Sequence, residues 1–317
     1  MTSVCIYNEQ KLFLCQPRRK GMVMTMLLTE KMLRADLSES EKVAINYVIQ
    51  QKEMIKNKTL KQIARETYTN PSTLIRVAKK LGYSGWNELK EQYLQEIDYL
   101  NRSFNDIDAN KPFDENDNLM AIANKMAQLN QTTINDTLAL IRYADLNRAV
   151  QILLNASEIK IFAHNQNILI SQDFAYKMNR IQKPVTVCAL DAEQVFEAFN
   201  CRKGSCALFI SYSGESKRFL KILPVLKQNK IPILSLTSLG ENTLTKKSDC
   251  VLRISTRERL YSNIADFTKN NSICYLLDVL YSCVFSKNYQ KNLAHKIAVS
   301  QYADSRQSSV DLINEAK

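Results

Sequence analysis

Short apolar runs alternate with stretches of helical periodicity between Glu158 and Ile254, and this alternation constrains the fold more than any other feature. The strand-like runs are Glu158–Phe162, Pro184–Cys188, Ser205–Ser211, Ile231–Thr237 and Cys250–Ile254. Between them lie helical patterns over Ile168–Ile181, Ala192–Phe199, Glu215–Gln228 and, more briefly, Thr243–Lys247. A helix between two strands brings the chain back to the starting edge, which favours parallel pairing. The pattern therefore predicts an α/β domain, a five-stranded parallel sheet with helices on both faces. Leu119 to Ile141, as one long helix or two, and Leu146 to Leu154 lead into it, and Ile264 to Phe285 closes it.

Open parallel sheets bind ligands outside the carboxyl ends of their strands. The third strand ends there in Ser211-Tyr212-Ser213-Gly214-Glu215-Ser216, and a helix follows at once. Unpaired N–H groups at a helix start, together with the helix dipole, favour an anion. Ser211, Ser213 and Ser216 add hydroxyl donors, the amides of Glu215 and Ser216 point the same way, and Gly214 lets the backbone approach closely. A plain helix cap with spare serines has the same composition, so both readings stand on this stretch alone. The first strand ends in Ala163-His164-Asn165-Gln166-Asn167, which faces the same crevice. Asn165 tolerates left-handed backbone angles, and Asn167 can donate a hydrogen bond. His164 is one of only two histidines. Without a visible partner it suits binding better than acid–base catalysis. Thr237 to Asn242 either adds polar contacts to the crevice or is an ordinary turn. No paired carboxylates or metal-ligand spacing stand out, so no cofactor and no metal are expected.

The N-terminal half reads as a small helical domain. Ser38, with Glu41 as capping-box partner and Leu37 in the staple position, opens a helix whose apolar face is Val43, Ala44, Tyr47 and Val48. A second helix starts at Thr59 with Leu60, Ile63 and Ala64 inward. Tyr68-Thr69-Asn70 turns the chain, and Pro71 suits the first position of a third helix over Ser72 to Leu81. Gly82 ends that helix in a left-handed cap. Two short helices joined by a tight turn describe a helix-turn-helix. No acidic residue lies between Glu66 and Glu88, so this face does not repel phosphates. Ser72, Thr73 and Arg76 are the expected base-edge contacts, and Lys58, Lys79 and Lys80 the expected phosphate contacts. A three-helix bundle with a solvated basic face is the plainer alternative. Tyr83 and Trp86 are expected to anchor a fourth helix, Trp86 to about Leu100.

Two sets of motifs now carry a resemblance. Ser211 to Ser216 resembles the phosphate loop of SIS (sugar isomerase) domains, and Leu119 to Ser286 looks like one such domain. Leu37 to Tyr93, including Lys79-Lys80-Leu81-Gly82-Tyr83-Ser84-Gly85-Trp86, is similar to the helix-turn-helix that precedes it in RpiR-type transcription regulators. The resemblance implies a DNA-binding regulator, not an enzyme, whose SIS domain senses a phosphorylated sugar. It also implies association into a homodimer or homotetramer on double-stranded DNA. The chain departs from the family in the first loop, where relatives usually carry Gly-x-Gly-x-Ser and this chain has Ala163 to Asn167. A phosphosugar isomerase with an accessory helical domain is the alternative of another class. A regulator that keeps its sensing domain only for dimerisation is the third.

The boundaries expected are an extension over 1–30, the helix-turn-helix domain over 31–104, a polar linker over 105–118, the SIS domain over 119–290 and a tail over 291–317. The extension fits neither domain. It is expected to be poorly ordered, or to be a basic arm through Arg18, Arg19 and Lys20. A chain of 317 residues has room for two such domains. Its net charge of +11 favours a polyanionic partner, although charge alone does not separate DNA binding from a basic surface. Eight cysteines without C-x-x-C pairs read as reduced thiols. With no long apolar run and no leader pattern, the expectation is a cytoplasmic protein without a membrane partner.

Overall fold

Ser38, Thr59 and Asn70 start three helices, each by its own local chemistry. The structure, a computed structural model, describes residues 27–101 and 107–303. The Ser38 amide donates to Glu41 Oε2 at 2.8 Å and starts α2 (Glu39–Gln51). The Thr59 amide donates to Gln62 Oε1 at 2.7 Å and starts α3 (Leu60–Glu66). Asn70 with Pro71 starts α4 (Pro71–Lys80). That helix ends as its sequence requires: Gly82 takes φ +89°, its amide donates to Lys79 O at 3.0 Å, and the Tyr83 amide donates to Ala78 O at 2.9 Å. These two bonds are the Schellman arrangement, which satisfies the last carbonyls of the helix. Leu74, Val77 and Ala78 of α4 bury against Ile45 and Val48 of α2 and against Trp86, Leu89 and Tyr93 of α5 (Trp86–Asn101).

Two expectations shift here. Among the described residues the helical domain starts with α1 (Leu28–Arg34), inside the last residues of the segment assigned to the extension. Leu28 and Met32 belong to the same core, and Glu96 of α5 accepts from the amides of Leu28 at 2.5 Å and Thr29 at 2.9 Å. Residues 1–26, with the expected basic arm, lie outside the described residues. On α2 the inward face is Ala44, Ile45 and Val48, while Val43 is half exposed. The 3.6-residue period admits either stripe, and packing against α4 selects the one with Ile45.

The polar stretch before the second domain is docked where the structure describes it. Ala109 and Pro112 are buried, and Asn110 accepts from Ile264 N at 2.9 Å and, through Oδ1, from Arg259 N at 2.7 Å. Then come α6 (Leu119–Leu140), a single helix, and α7 (Tyr143–Asn155). The alternation follows: β1 (Ile159–Phe162), α8 (Gln166–Asn179), β2 (Val185–Val187), α9 (Gln194–Phe199), β3 (Cys206–Ile210), α10 (Lys217–Gln228), β4 (Ile233–Ser238), α11 (Thr243–Lys247) and β5 (Cys250–Ile254). α12 (Phe267–Ser286) closes the domain, and α13 (Tyr289–Ala303) extends from it without a buried residue. The five strands pair in parallel in the order β2-β1-β3-β4-β5.

Side-chain alternation along the strands explains the two helical layers. Ile159 and Ile161 of β1, with Cys206, Leu208 and Ile210 of β3, pack on α7, α8 and α12. Phe162, Ala207 and Phe209 face the other way, onto Phe219, Ile222 and Leu226 of α10 and Ala198 of α9. Both faces are buried, which is why the strands read as continuous apolar runs. Burial raises the thiols of Cys188 and Cys206 to about 12, as suits inert core residues.

Glu96→Ala is expected to remove the acceptor of two amides and of the Thr29 hydroxyl, which donates to it at 2.6 Å. A buried donor left unpaired costs about 1–3 kcal/mol. Chemical denaturation should show that loss, and an unchanged midpoint would mean that α1 is not held by this carboxylate.

Candidate functional site

The strand order reverses between β1 and β3, which are neighbours with Phe162 opposite Phe209. Their connections leave toward opposite faces, so a crevice opens at their carboxyl ends. Both sequence-predicted loops therefore meet. His164, just after β1, lies with Nε2 3.0 Å from Ser216 Oγ and Nδ1 3.0 Å from Asp191 Oδ1. Its ring stacks on Phe219 at 4.3 Å between centroids. In the neutral ring a proton on Nδ1 faces the carboxylate and Nε2 accepts from the Ser216 hydroxyl; in the charged ring both nitrogens donate. Asp191 is also paired with Arg218. That hydrogen bond first, and the one to His164 second, holds its carboxyl below the usual range. The lone histidine of the sequence thus has two partners. Asp191 comes from the connection after β2, far along the chain, and no spacing announces it.

The α10 helix begins at Lys217 with Ser216 as its cap, two residues later than the periodicity suggested. Ser211 to Ser216 is accordingly a loop. The Gly214 amide donates to Ser211 Oγ at 3.2 Å and the Glu215 amide to Ser213 Oγ at 3.4 Å, so amides and hydroxyls converge. Gly214 takes φ +66°, and a Cβ there would lie 2.1 Å from Cγ of Asn242. The close approach that demands glycine is therefore to Asn242. The Glu215 carboxylate turns away from the crevice and accepts from the amide and the hydroxyl of Thr243, both at 2.7 Å. Asn242 is fully buried and caps α11 through Oδ1, at 2.9 Å from Thr245 N, so this stretch supports the loop from behind.

On the opposite wall α8 already starts at Gln166, so Asn167 stands in its first turn and the connecting loop is short. Asn165 takes φ +50° with ψ −129°, a positive-φ backbone outside the left-handed helical region that its residue type favours. A cavity of about 190 Å³ lies between these loops and the start of α12. His164, Asn165, Asn167, Ser211 and Ser213 line it, while Gly214, Glu215 and Ser216 do not.

Asp266 and Lys269 also line the cavity, and the sequence reading missed both. Lys269 is buried, pairs with Asp266 at 2.5 Å and lies 5.0 Å from the centre of the Tyr212 ring. A signal existed, because Lys269 continues the apolar stripe of Ile273, Leu276 and Leu280 on α12. A charge on a buried stripe asks for a partner. Glu258 has a different part. Its carboxylate caps α12, accepting from Thr268 N at 2.6 Å and Lys269 N at 3.2 Å. Burial raises its pKa more than these bonds lower it. The Tyr212 hydroxyl donates to Glu258 O at 2.7 Å, which ties the loop 211–216 to the same helix start.

The exposed face of α4 carries Ser72, Ile75, Arg76, Lys79 and Lys80. Thr73, expected at base edges, is buried at 1% exposure, and Arg76 Nη2 donates to its hydroxyl at 3.3 Å. One turn before Val77, it falls on the inward stripe. Lys58, expected on phosphates, is drawn to Glu66 at 2.5 Å and to the Tyr47 hydroxyl. Lys80 pairs with Glu41 at 2.6 Å, and this bond is the main reason that the Glu41 carboxyl lies below its usual range. Arg76 and Lys79 keep the exposure that a groove contact needs.

Residues 24–98 match the helix-turn-helix domain of the rpiR family, and residues 152–281 match the SIS domain. An uncharacterized HTH-type transcriptional regulator of Caldanaerobacter subterraneus subsp. tengcongensis is 25% identical over 263 residues, 81% of this chain and 89% of that protein. The Vibrio vulnificus NanR protein complexed with ManNAc-6P superposes with a TM-score of 0.54 at 20% identity, over 88% of this chain and 98% of that one. The sugar isomerase domain of an RpiR transcription factor from Sphaerobacter thermophilus gives 0.51 at 14% identity, over 57% of this chain and 98% of that one. At these identities the structural likeness is one of fold. The two matched domains, in this order in one chain, make it a member of the RpiR-type transcription regulators.

Proposed function

We propose that this regulator reads double-stranded DNA through α4 and senses a phosphorylated sugar in the crevice between β1 and β3. The observation that carries the sensing half is the convergence on one cavity of the Ser211 and Ser213 hydroxyls, Asn167, and the first turn of α8. Serine hydroxyls, amide groups and a helix start are the donors a phosphate takes. ManNAc-6P, named as the ligand of Vibrio vulnificus NanR, is the first compound to try. The Gly-x-Gly-x-Ser of relatives is replaced here, and Asn165 and Asn167 supply the first-loop contacts instead. The protein acts in the cytoplasm as a dimer or dimer of dimers on paired half-sites, without catalysing a reaction. The isomerase reading is weaker because a helix-turn-helix of the rpiR family precedes the SIS domain and the relative named above is an HTH-type transcriptional regulator.

A thermal-shift screen of sugar phosphates, followed by calorimetry, tests the sensing half, since a ligand of the native state raises the melting point. Ser213→Ala should weaken the hit by roughly tenfold to a hundredfold, from a charge-assisted bond worth about 1.5–3 kcal/mol. Asn167→Ala should weaken it too. Silence in both variants would move the site elsewhere, and no hit at millimolar concentration would leave the second domain as a dimerisation module. Consumption of the hit in a turnover assay would favour the isomerase.

For the reading head, an operator selected from random duplexes should separate the cations of α4. Arg76→Ala is expected to cost about 1–3 kcal/mol of discrimination between sequences. Lys79→Ala should weaken all duplexes alike and lower the salt slope by about one. Lys80→Ala should do less, because Glu41 already engages that ammonium. Thr73→Ala should lower stability and leave sequence preference intact. Wild-type gel-shift titrations for both Arg76→Ala and Lys79→Ala would show that α4 is not the reader.

A further inference from the structure

The phosphate loop is joined to the reading helix by a short chain of contacts. Glu215 accepts from the Thr243 amide and hydroxyl at 2.7 Å each, and Leu244 N donates to Gly214 O at 3.1 Å. Asn242 fits against Gly214 so closely that no Cβ could stand between them. Loop 211–216 and the start of α11 are therefore tied to each other. The stem of the loop before α11 is held by Arg253 Nη1, which donates to Ser238 O at 2.9 Å and Gly240 O at 2.8 Å. The next residue, Glu241, pairs through Oε1 with Lys31 Nζ at 2.5 Å. Lys31 lies on α1 of the other domain, and the same ammonium donates to Leu81 O at 2.5 Å. Leu81 is the C-cap of α4, the helix expected to enter the groove. Around this ion pair a cavity of about 840 Å³ separates the domains, so the contact crosses where they otherwise stand apart.

We infer that Glu215, Thr243, Glu241 and Lys31 form a relay by which an anion in the phosphate loop shifts the C-terminal end of α4. The inference rests on the sensing reading above and names its route of regulation. The amides of Gly214 and Glu215 now donate to Ser211 and Ser213. The hydroxyls of Ser211 and Ser213 line the cavity, so an anion there re-aims them, and with them the Gly214 and Glu215 backbone that they hold and the carboxylate that grips Thr243. Glu241 stands two residues before Thr243, so its pull on Lys31 changes, and with it the hold on the Leu81 carbonyl. Burial, and next the charge of Glu241, pushes the Tyr83 hydroxyl beside Lys31 up to about 12, in keeping with a partly desolvated junction.

Hydrogen exchange on the full chain, with inorganic phosphate as the probe, tests the relay. The variants are Glu241→Gln, which is isosteric and partly exposed, Lys31→Met, and Lys31→Arg, which keeps the charge. Phosphate should slow exchange at 211–216 in all four proteins. It should change exchange at 79–83 in the wild type and Lys31→Arg, and that change should vanish in Glu241→Gln and Lys31→Met. The relay is wrong, and the anion site stands, if 211–216 is protected while 79–83 is silent in the wild type or responds equally in all four. Absence of protection at 211–216 in the wild type overturns the anion site, and the relay falls with it.

Discussion

The parallel pairing of β1 with β3 is the constraint on which the rest depends. It sets Phe162 opposite Phe209, and so brings two loops that are far apart in sequence to the same edge of the sheet. The hand of parallel crossovers then sends α8 and α10 to opposite faces, with both N-termini at that edge. A crevice lined by helix starts is the geometric result, before any side chain is chosen. The side chains then specialise it: small hydroxyls on one wall, amides on the other, and a buried ammonium at the floor.

The fold was legible because its signals are local. Apolar runs with both faces buried, a capping carboxylate three residues after Ser38, and a glycine after α4 each act within a few residues of themselves. The crevice was legible in part, for the same reason. Ser211, Ser213 and Gly214 are set by a turn that is readable in the string. Asp191 is held to His164 only through the tertiary packing of β2 beside β1, and Lys269 reaches the cavity only because α12 closes over it. Thr73 was misplaced because a helix offers two adjacent stripes, and only the packing of α2 and α5 decides which is inside. Lys58 and Lys80 looked available as charges, yet each is engaged by a residue whose nearness is tertiary: Glu66 and Glu41.

That pattern of engaged charges bears on regulation. A surface ion pair is worth little by itself. Coupling between an effector and a DNA site amounts to about 1–3 kcal/mol, a factor of about 5–150 in affinity. The loop that holds these bonds in series has no slack at Gly214. The route from the phosphate loop to the end of α4 therefore needs no large rearrangement. The anion has only to re-aim two serine hydroxyls that line the cavity and hold the backbone of Gly214 and Glu215.

The most direct test of the account is operator affinity titrated against the sugar phosphate that stabilises the protein. A regulator built this way predicts that saturating effector changes the dissociation constant by about 5–150-fold. It predicts as well that the same factor appears in effector affinity when operator is bound, and that Ser213→Ala needs correspondingly more effector to reach it. An operator affinity that does not move while the effector demonstrably occupies the crevice would contradict the account.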